Sequence, residues 1–224
     1  MILLVLAALL WVGLHVGIAG TRARAALVAR LGEGPFRGAF SVASAVSITL
    51  LVLAWRNAET APLWVVPPAL GWLLVALMLP AFILFAGSLM ARNATSLGQE
   101  AALSAEPRGM LRVTRHPMLL AFALWGAVHV LGNGDSASVV FFGAFLVTAA
   151  LGIPSLDAKV AARNPAAWVG FAARTSVLPL GAVMAGRNRI AWRELGWPVL
   201  VGALAWAAML HLHPLVFGVS PIPR

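Results

Sequence analysis

The chain contains no cysteine and no tyrosine. Without thiols there is no disulfide, no iron–sulfur cluster, no thiolate metal ligand and no cysteine nucleophile. Without phenols, no tyrosine serves as an acid or a radical carrier. Charge is scarce too: Asp, Glu, Lys and Arg make up 10% of the 224 residues, against roughly 25% in an average soluble domain. A soluble globule would have too little polar surface to cover itself. With 61% of residues hydrophobic, a disordered tail or a fibrous repeat is excluded as well. An integral membrane protein remains. No internal repeat or low-complexity tract interrupts the chain, and one domain over 1–224 is the simplest reading.

Apolar runs occupy 2–19, 39–55, 63–90, 118–131, 137–156 and 196–217. A helix needs about 20 such residues to cross the hydrocarbon core. The sequence therefore predicts an all-α polytopic bundle of about six spans, the fourth being the shortest. Pro67–Pro68 reads as a helix start and Pro80 as an internal kink. The first run has no basic residue ahead of it and reads as a retained span rather than a signal peptide. Segment 165–185 is semi-apolar and is expected to lie along the membrane interface.

All but two of the 16 basic residues fall on alternate loops, the exceptions being Arg56 and Arg224. Arg22, Arg24, Arg30 and Arg37 share one loop; Arg92, Arg108, Arg112 and Arg115 a second; Lys159, Arg163, Arg174, Arg187, Arg189 and Arg193 a third. The positive-inside rule then places both termini outside and the basic loops in the cytoplasm, in a multi-pass protein of a cell inner membrane. The formal charge of +9 is thus a topology signal and a contact for anionic lipid. It does not indicate nucleic acid.

Five histidines carry most of the chemistry left, because imidazole is the strong intramembrane metal ligand available to such a chain. His15 closes Trp11-Val-Gly-Leu-His15, and His129 closes Trp125-Gly-Ala-Val-His129. Positions i and i+4 share a helix face, so each imidazole has an indole beside it. Flat aromatic walls around an axial imidazole suit a porphyrin. Gly13 and Gly126 would let a bulky ring approach the backbone. The alternative is that both histidines bond neighbouring helices. Depth favours another pairing: His129 lies roughly 10 Å deeper than His15 at 1.5 Å per residue, which would match His129 with His211 and His15 with His116.

Arg115-His116-Pro117 opens the fourth span. It reads either as an Arg/His pair gripping an anionic group at a helix N-terminus or as an interfacial arginine anchoring the span. His211-Leu-His213-Pro214 is a poor chelate, since i and i+2 point about 200° apart; it reads as a helix stop. Asn133-Gly134-Asp135 is a tight turn. Asp157 is expected to pair with Lys159 or a nearby arginine. There is no phosphate loop, carboxylate pair or hydrolase triad.

The stretch Gly109-Met-Leu-Arg-Val-Thr-Arg115-His116-Pro117-Met, followed by Trp125-Gly-Ala-Val-His129, resembles the signature of the NnrU family, which is related to plant and cyanobacterial 15-cis-zeta-carotene isomerase. His15-Val-Gly, Arg174-Thr-Ser-Val-Leu-Pro179 and His213-Pro214-Leu-Val-Phe-Gly-Val-Ser-Pro221 agree in the same order. The resemblance implies haem b with His15 and His129 as metal ligands; from the residues themselves, Trp11, Trp125, Arg115 and His116 are further candidates for cofactor binding. It implies either carotenoid cis–trans isomerisation or a role in nitric oxide and denitrification redox metabolism. The isomerase branch has a cysteine three residues before the second histidine; Gly126 stands there, so a His/Cys ligand exchange of that type is absent. A wider similarity reaches isoprenylcysteine carboxyl methyltransferases and phospholipid methyltransferases, which share the Arg-His-Pro start of a span but carry an acidic pair and tyrosines that this chain lacks. The resemblance leaves three readings open: a haem protein with an apolar or small gaseous ligand, a methyltransferase-like protein, and a non-enzymatic accessory of a membrane redox partner. It assigns no catalytic residue and does not decide whether the chain is an enzyme.

Overall fold

The computed structural model describes residues 1–90 and 103–223; Arg92 and Arg224 of the charge pattern lie outside the described residues. The described residues are all-helical, with no strand. Four helices are long and apolar enough to cross a membrane: α3 (Glu33–Arg56), α4 (Pro68–Met90), α6 (Ser136–Arg163) and α9 (Trp192–Phe217). At the N-terminus, α1 (Ile2–Val12) runs into a π-helical segment, Gly13–Ile18, and is followed at a 79° bend by α2 (Arg22–Leu31). Taken as one broken span, this pair makes a fifth crossing. The fourth apolar run becomes α5 (Pro117–Asn133), with 17 residues, or about 25 Å of rise. Three short elements complete the described residues: a 3₁₀ turn at Gly109–Arg112, α7 (Pro165–Arg174) and α8 (Gly181–Met184).

Prolines set several of these boundaries. Pro68 opens α4 and Pro117 opens α5, where a missing N–H costs nothing. Pro80 lies inside α4, as read from the sequence. Pro214 does not stop its helix: α9 continues three residues further, to a left-handed Gly218 with φ 76°. In the last turn a proline removes a single rung, whereas the left-handed glycine diverts the backbone.

The chain forms two compact units. The first comprises Met1–Val66 and Trp125–Ser155. Its core joins Leu4 of α1 and Leu51 of α3, both fully buried, to Phe141 and Phe142 of α6. The α3–α4 connection is fastened to the Asn133–Gly134–Asp135 turn. Leu63 N–H donates to the Gly134 carbonyl (2.8 Å), Trp64 Nε1 to the Leu131 carbonyl (2.9 Å), and the Thr60 hydroxyl to Asp135 Oδ1 (2.6 Å). Gly134 has φ 66°, and a Cβ there would fall on the Trp64 carbonyl oxygen. Burial pushes the Asp135 carboxyl up, but hydrogen bonds from Ser138 and Thr60 outweigh it and hold the group below the ordinary carboxylate value.

The second unit comprises Pro67–Leu124 and Leu156–Arg224. Here α4 and α9 lie backbone to backbone: a Cβ on Gly202 would sit 2.5 Å from Ile83 Cα. Trp206 Nε1 donates to the Val75 carbonyl at 3.0 Å. Small residues allow such close approach where lipid offers helices no hydrophobic drive to associate. A side cluster of Leu103, Leu111, Val160 and Phe171 seats α7. Arg112 is buried and bonds Glu194 (3.0 Å), Glu106 (3.0 Å) and Asn188 (3.0 Å). The bond to Glu194 leads the effects that raise its pKa above the ordinary value, against the opposing effect of burial.

Candidate functional site

Both Trp-x-x-x-His pairs lie in the first unit, and both make the same backbone contact. His15 Nδ1 lies 2.9 Å from the Trp11 carbonyl oxygen, and His129 Nδ1 lies 2.8 Å from the Trp125 carbonyl oxygen. A carbonyl only accepts, so Nδ1 carries the hydrogen in each ring, and in the neutral form of such a ring the lone pair is on Nε2. This is the arrangement that sets a histidine up as a metal ligand through Nε2. The indoles stand where the spacing predicts: ring centroids are 3.9 Å apart for Trp11–His15 and 5.2 Å for Trp125–His129. Phe145 packs on both tryptophans, at 5.1 and 5.2 Å. One aromatic cluster therefore joins the two histidine-bearing segments.

The two ends differ in their surroundings. His15 sits within the π-helical segment, where Ala19 N–H donates to the Leu14 carbonyl five residues back (2.9 Å). Such segments are rare and frequent at functional sites. A Cβ on Gly13 or Gly17 would meet nothing within 4 Å. Trp11 Nε1, beside the imidazole, is buried without a hydrogen-bond partner, as is Ser44 Oγ of α3. At the other end the expectation for Gly126 fails. A Cβ there would meet the Phe142 carbonyl oxygen at 2.9 Å and Leu146 at 3.2 Å, so that glycine admits α6 rather than a bulky ring. His129 itself stacks on Phe142 at 4.6 Å.

Of the pairings weighed from the sequence, His15 with His129 is the one whose members share a compact unit. His211 and His213 belong to the second unit, near the end of α9. His213 Nδ1 donates to the Val219 carbonyl (2.7 Å), a bond that fastens the chain after the helix.

The second unit holds a charged cluster at the head of α5. Asp157 receives Arg115 Nη2 at 2.6 Å and Nε at 3.0 Å, and His116 Nε2 at 2.7 Å. The Arg115 guanidinium also lies over the Trp168 ring, 5.4 Å from its centroid, a cation–π contact. The group that Arg115 and His116 grip is thus a carboxylate of the chain itself. Arg115 is turned inward, at 14% exposure, and does not snorkel. His116 is 1% exposed, and its Nδ1 is buried without a partner. Nε2 is taken up by Asp157, and Nδ1 faces a dry interior. Nearby in this unit, Met90, Met110, Trp197 and Pro198 line a recess of about 370 Å³ that Glu194 also borders.

The expected pairing of Asp157 with an arginine is met by Arg115; sequence reasoning missed that His116 joins the same carboxylate and that Glu194 ties to Arg112. The available signal was a carboxylate on an otherwise apolar helix, where an unpaired charge is costly.

A family model described as "NnrU protein" matches residues 3–221. The chain is 29% identical over 82 residues to the Zea mays protein named 15-cis-zeta-carotene isomerase, chloroplastic; the match covers 37% of this chain and 22% of that protein. It is 26% identical over 116 residues to the Arabidopsis thaliana protein of the same name, covering 50% of this chain and 32% of the other. The matches thus span a third or less of those proteins. No solved structure matches.

Proposed function

The chain belongs to the NnrU family, and from that premise we propose an integral membrane protein that holds haem b through His15 and His129. The observation that carries this reading is the paired Nδ1–carbonyl bond, which orients both histidines alike within one unit and is the bond that favours ligation through Nε2. Two further features support it. Gly13 and Gly17 leave the His15 segment open to a large ring, and Trp11 Nε1 is a buried donor awaiting an acceptor such as a haem propionate.

When bound, haem would supply an iron centre for one-electron chemistry or for binding a small gas. The protein's own contribution is orientation. The Trp11 and Trp125 carbonyls orient the imidazoles through Nδ1; Phe40 lies edge-on to the His15 ring and Phe142 stacks on that of His129. The substrate class we favour is an apolar cis-polyene, in keeping with the name of the relatives. A nitric oxide-linked redox role is the other outcome. Six crossings with both termini on the side opposite the basic loops, in a cell inner membrane, complete the proposal; α1 and α5 are its short spans.

A visible spectrum of the purified protein tests this. A Soret band is expected, with its bis-imidazole character lost in both His15→Ala and His129→Ala while helical content is kept. A colourless protein after haem reconstitution refutes it. Turnover of 15-cis-zeta-carotene, or a Soret shift with nitric oxide, then separates the two roles. A second reading rests on the orphaned Nδ1 of His116: a methyltransferase-like site at the Arg115–His116–Asp157 cluster, tested by binding of S-adenosylmethionine to the same preparation.

A further inference from the structure

The second unit carries a basic recess that neither reading uses. About 280 Å³ in volume, it is lined by Arg112, Arg174, Arg187 and Arg189, with Asn188 and Glu106. Arg112 is neutralised by Glu106 and Glu194. The other three arginines have no carboxylate partner among the described residues, and backbone carbonyls orient two of them. Arg187 Nη1 donates to the Ala173 (2.6 Å) and Thr175 (3.2 Å) carbonyls at the end of α7. Arg174 Nε donates to the Gly170 carbonyl (3.0 Å). Carbonyls fix a guanidinium without cancelling its charge. The recess therefore holds a net positive field with donors to spare.

Its place along the chain indicates what fills it. Arg189 precedes by three residues the start of α9, a helix long and apolar enough to cross a membrane. The same stretch exposes apolar side chains: Leu178 at 72%, Met184 at 84% and Trp192 at 75%. A site for a soluble anion has no use for such neighbours along the chain. Guanidiniums beside exposed Leu, Met and Trp at the head of a span are the composition of the headgroup zone.

We propose that this recess binds the phosphate of an anionic phospholipid headgroup, with the acyl chains directed to the bilayer that the exposed apolar side chains of this stretch enter. Arg189 and Arg174 make the contacts that discriminate an anionic from a zwitterionic lipid.

Native mass spectrometry of the full-length protein in detergent, titrated with phosphatidylglycerol or phosphatidylcholine, tests this. Phosphatidylglycerol should bind at least tenfold more tightly. Each lost charge should weaken that binding roughly fivefold, from the usual contribution of a basic residue near an anionic surface. Arg174→Gln/Arg189→Gln should therefore lose more than tenfold, while Arg22→Gln/Arg30→Gln on α2 retains wild-type binding. Arg187→Gln is avoided because it removes bonds that hold α7, and circular dichroism checks that the double variants are folded. Equal binding of the two lipids overturns the proposal. So does wild-type lipid binding by Arg174→Gln/Arg189→Gln, or displacement of the lipid by equimolar inorganic phosphate, which would mark a soluble-anion site.

Discussion

Replacing Asp157 by Asn keeps the size of the side chain and removes the charge on which Arg115 and His116 converge. In the native cluster the carboxylate accepts from Arg115 through Nε and Nη2 and from His116 through Nε2, all within 3.1 Å. An amide offers one acceptor oxygen and turns two N–H groups toward donors. The Arg115 guanidinium, 14% exposed, then stays inside without a counter-charge. Breaking a buried pair by removing one partner costs about 3–5 kcal/mol. The residual exposure of Arg115 and of Asp157, 18%, lets water screen part of this, so the lower end, about 3 kcal/mol, is expected. For a chain of this size that corresponds to a fall in Tm of roughly 6–12 °C. Thermal unfolding of the detergent-solubilised protein, followed by circular dichroism, reads the effect. Arg115→Gln alone, and combined with Asp157→Asn, completes a double-mutant cycle, in which a coupling above about 1 kcal/mol is expected for groups in direct contact. A Tm within 2 °C of wild type for Asp157→Asn, or strict additivity in the cycle, would refute the view that this carboxylate organises the head of α5.

Asp135 sets a pH dependence. Its carboxyl is held below the ordinary value, so its stabilisation is fully present above the unfolded pKa near 3.9 and is lost as pH falls through the lower folded value; Asp135→Asn should flatten the acid limb of a Tm–pH curve. Gly202→Val should drive a side chain into the Ile83 backbone and destabilise the second unit by about 1–3 kcal/mol, seen as a lower Tm, whereas the same change at Gly143, which faces open space, should not. Because the chain has no cysteine, single cysteines placed at Arg30, Arg108, Arg189 and Asn133 report sidedness directly. An impermeant maleimide applied to sealed vesicles should label the first three from one side and Asn133 from the other.

Much was decided locally, and so could be read from the chain. Apolar runs at 39–55, 63–90, 137–156 and 196–217 become membrane-length helices because backbone groups in lipid must bond within their own segment. The Trp11–His15 and Trp125–His129 contacts follow from the i, i+4 repeat of a helix and need no tertiary information. Composition excluded thiol chemistry and a soluble fold before any residue was placed. What required the tertiary structure is what links distant positions. Asp157 meets Arg115 and His116 across 42 and 41 residues, and no local pattern specifies such a pairing. Gly126 looked like room for a ring and is room for α6, because a glycine's use depends on which backbone arrives opposite it. The orphaned donor of Trp11, and the three arginines of the basic recess that meet no carboxylate among the described residues, likewise follow from packing, which decides which polar atoms find partners and which are left to a ligand.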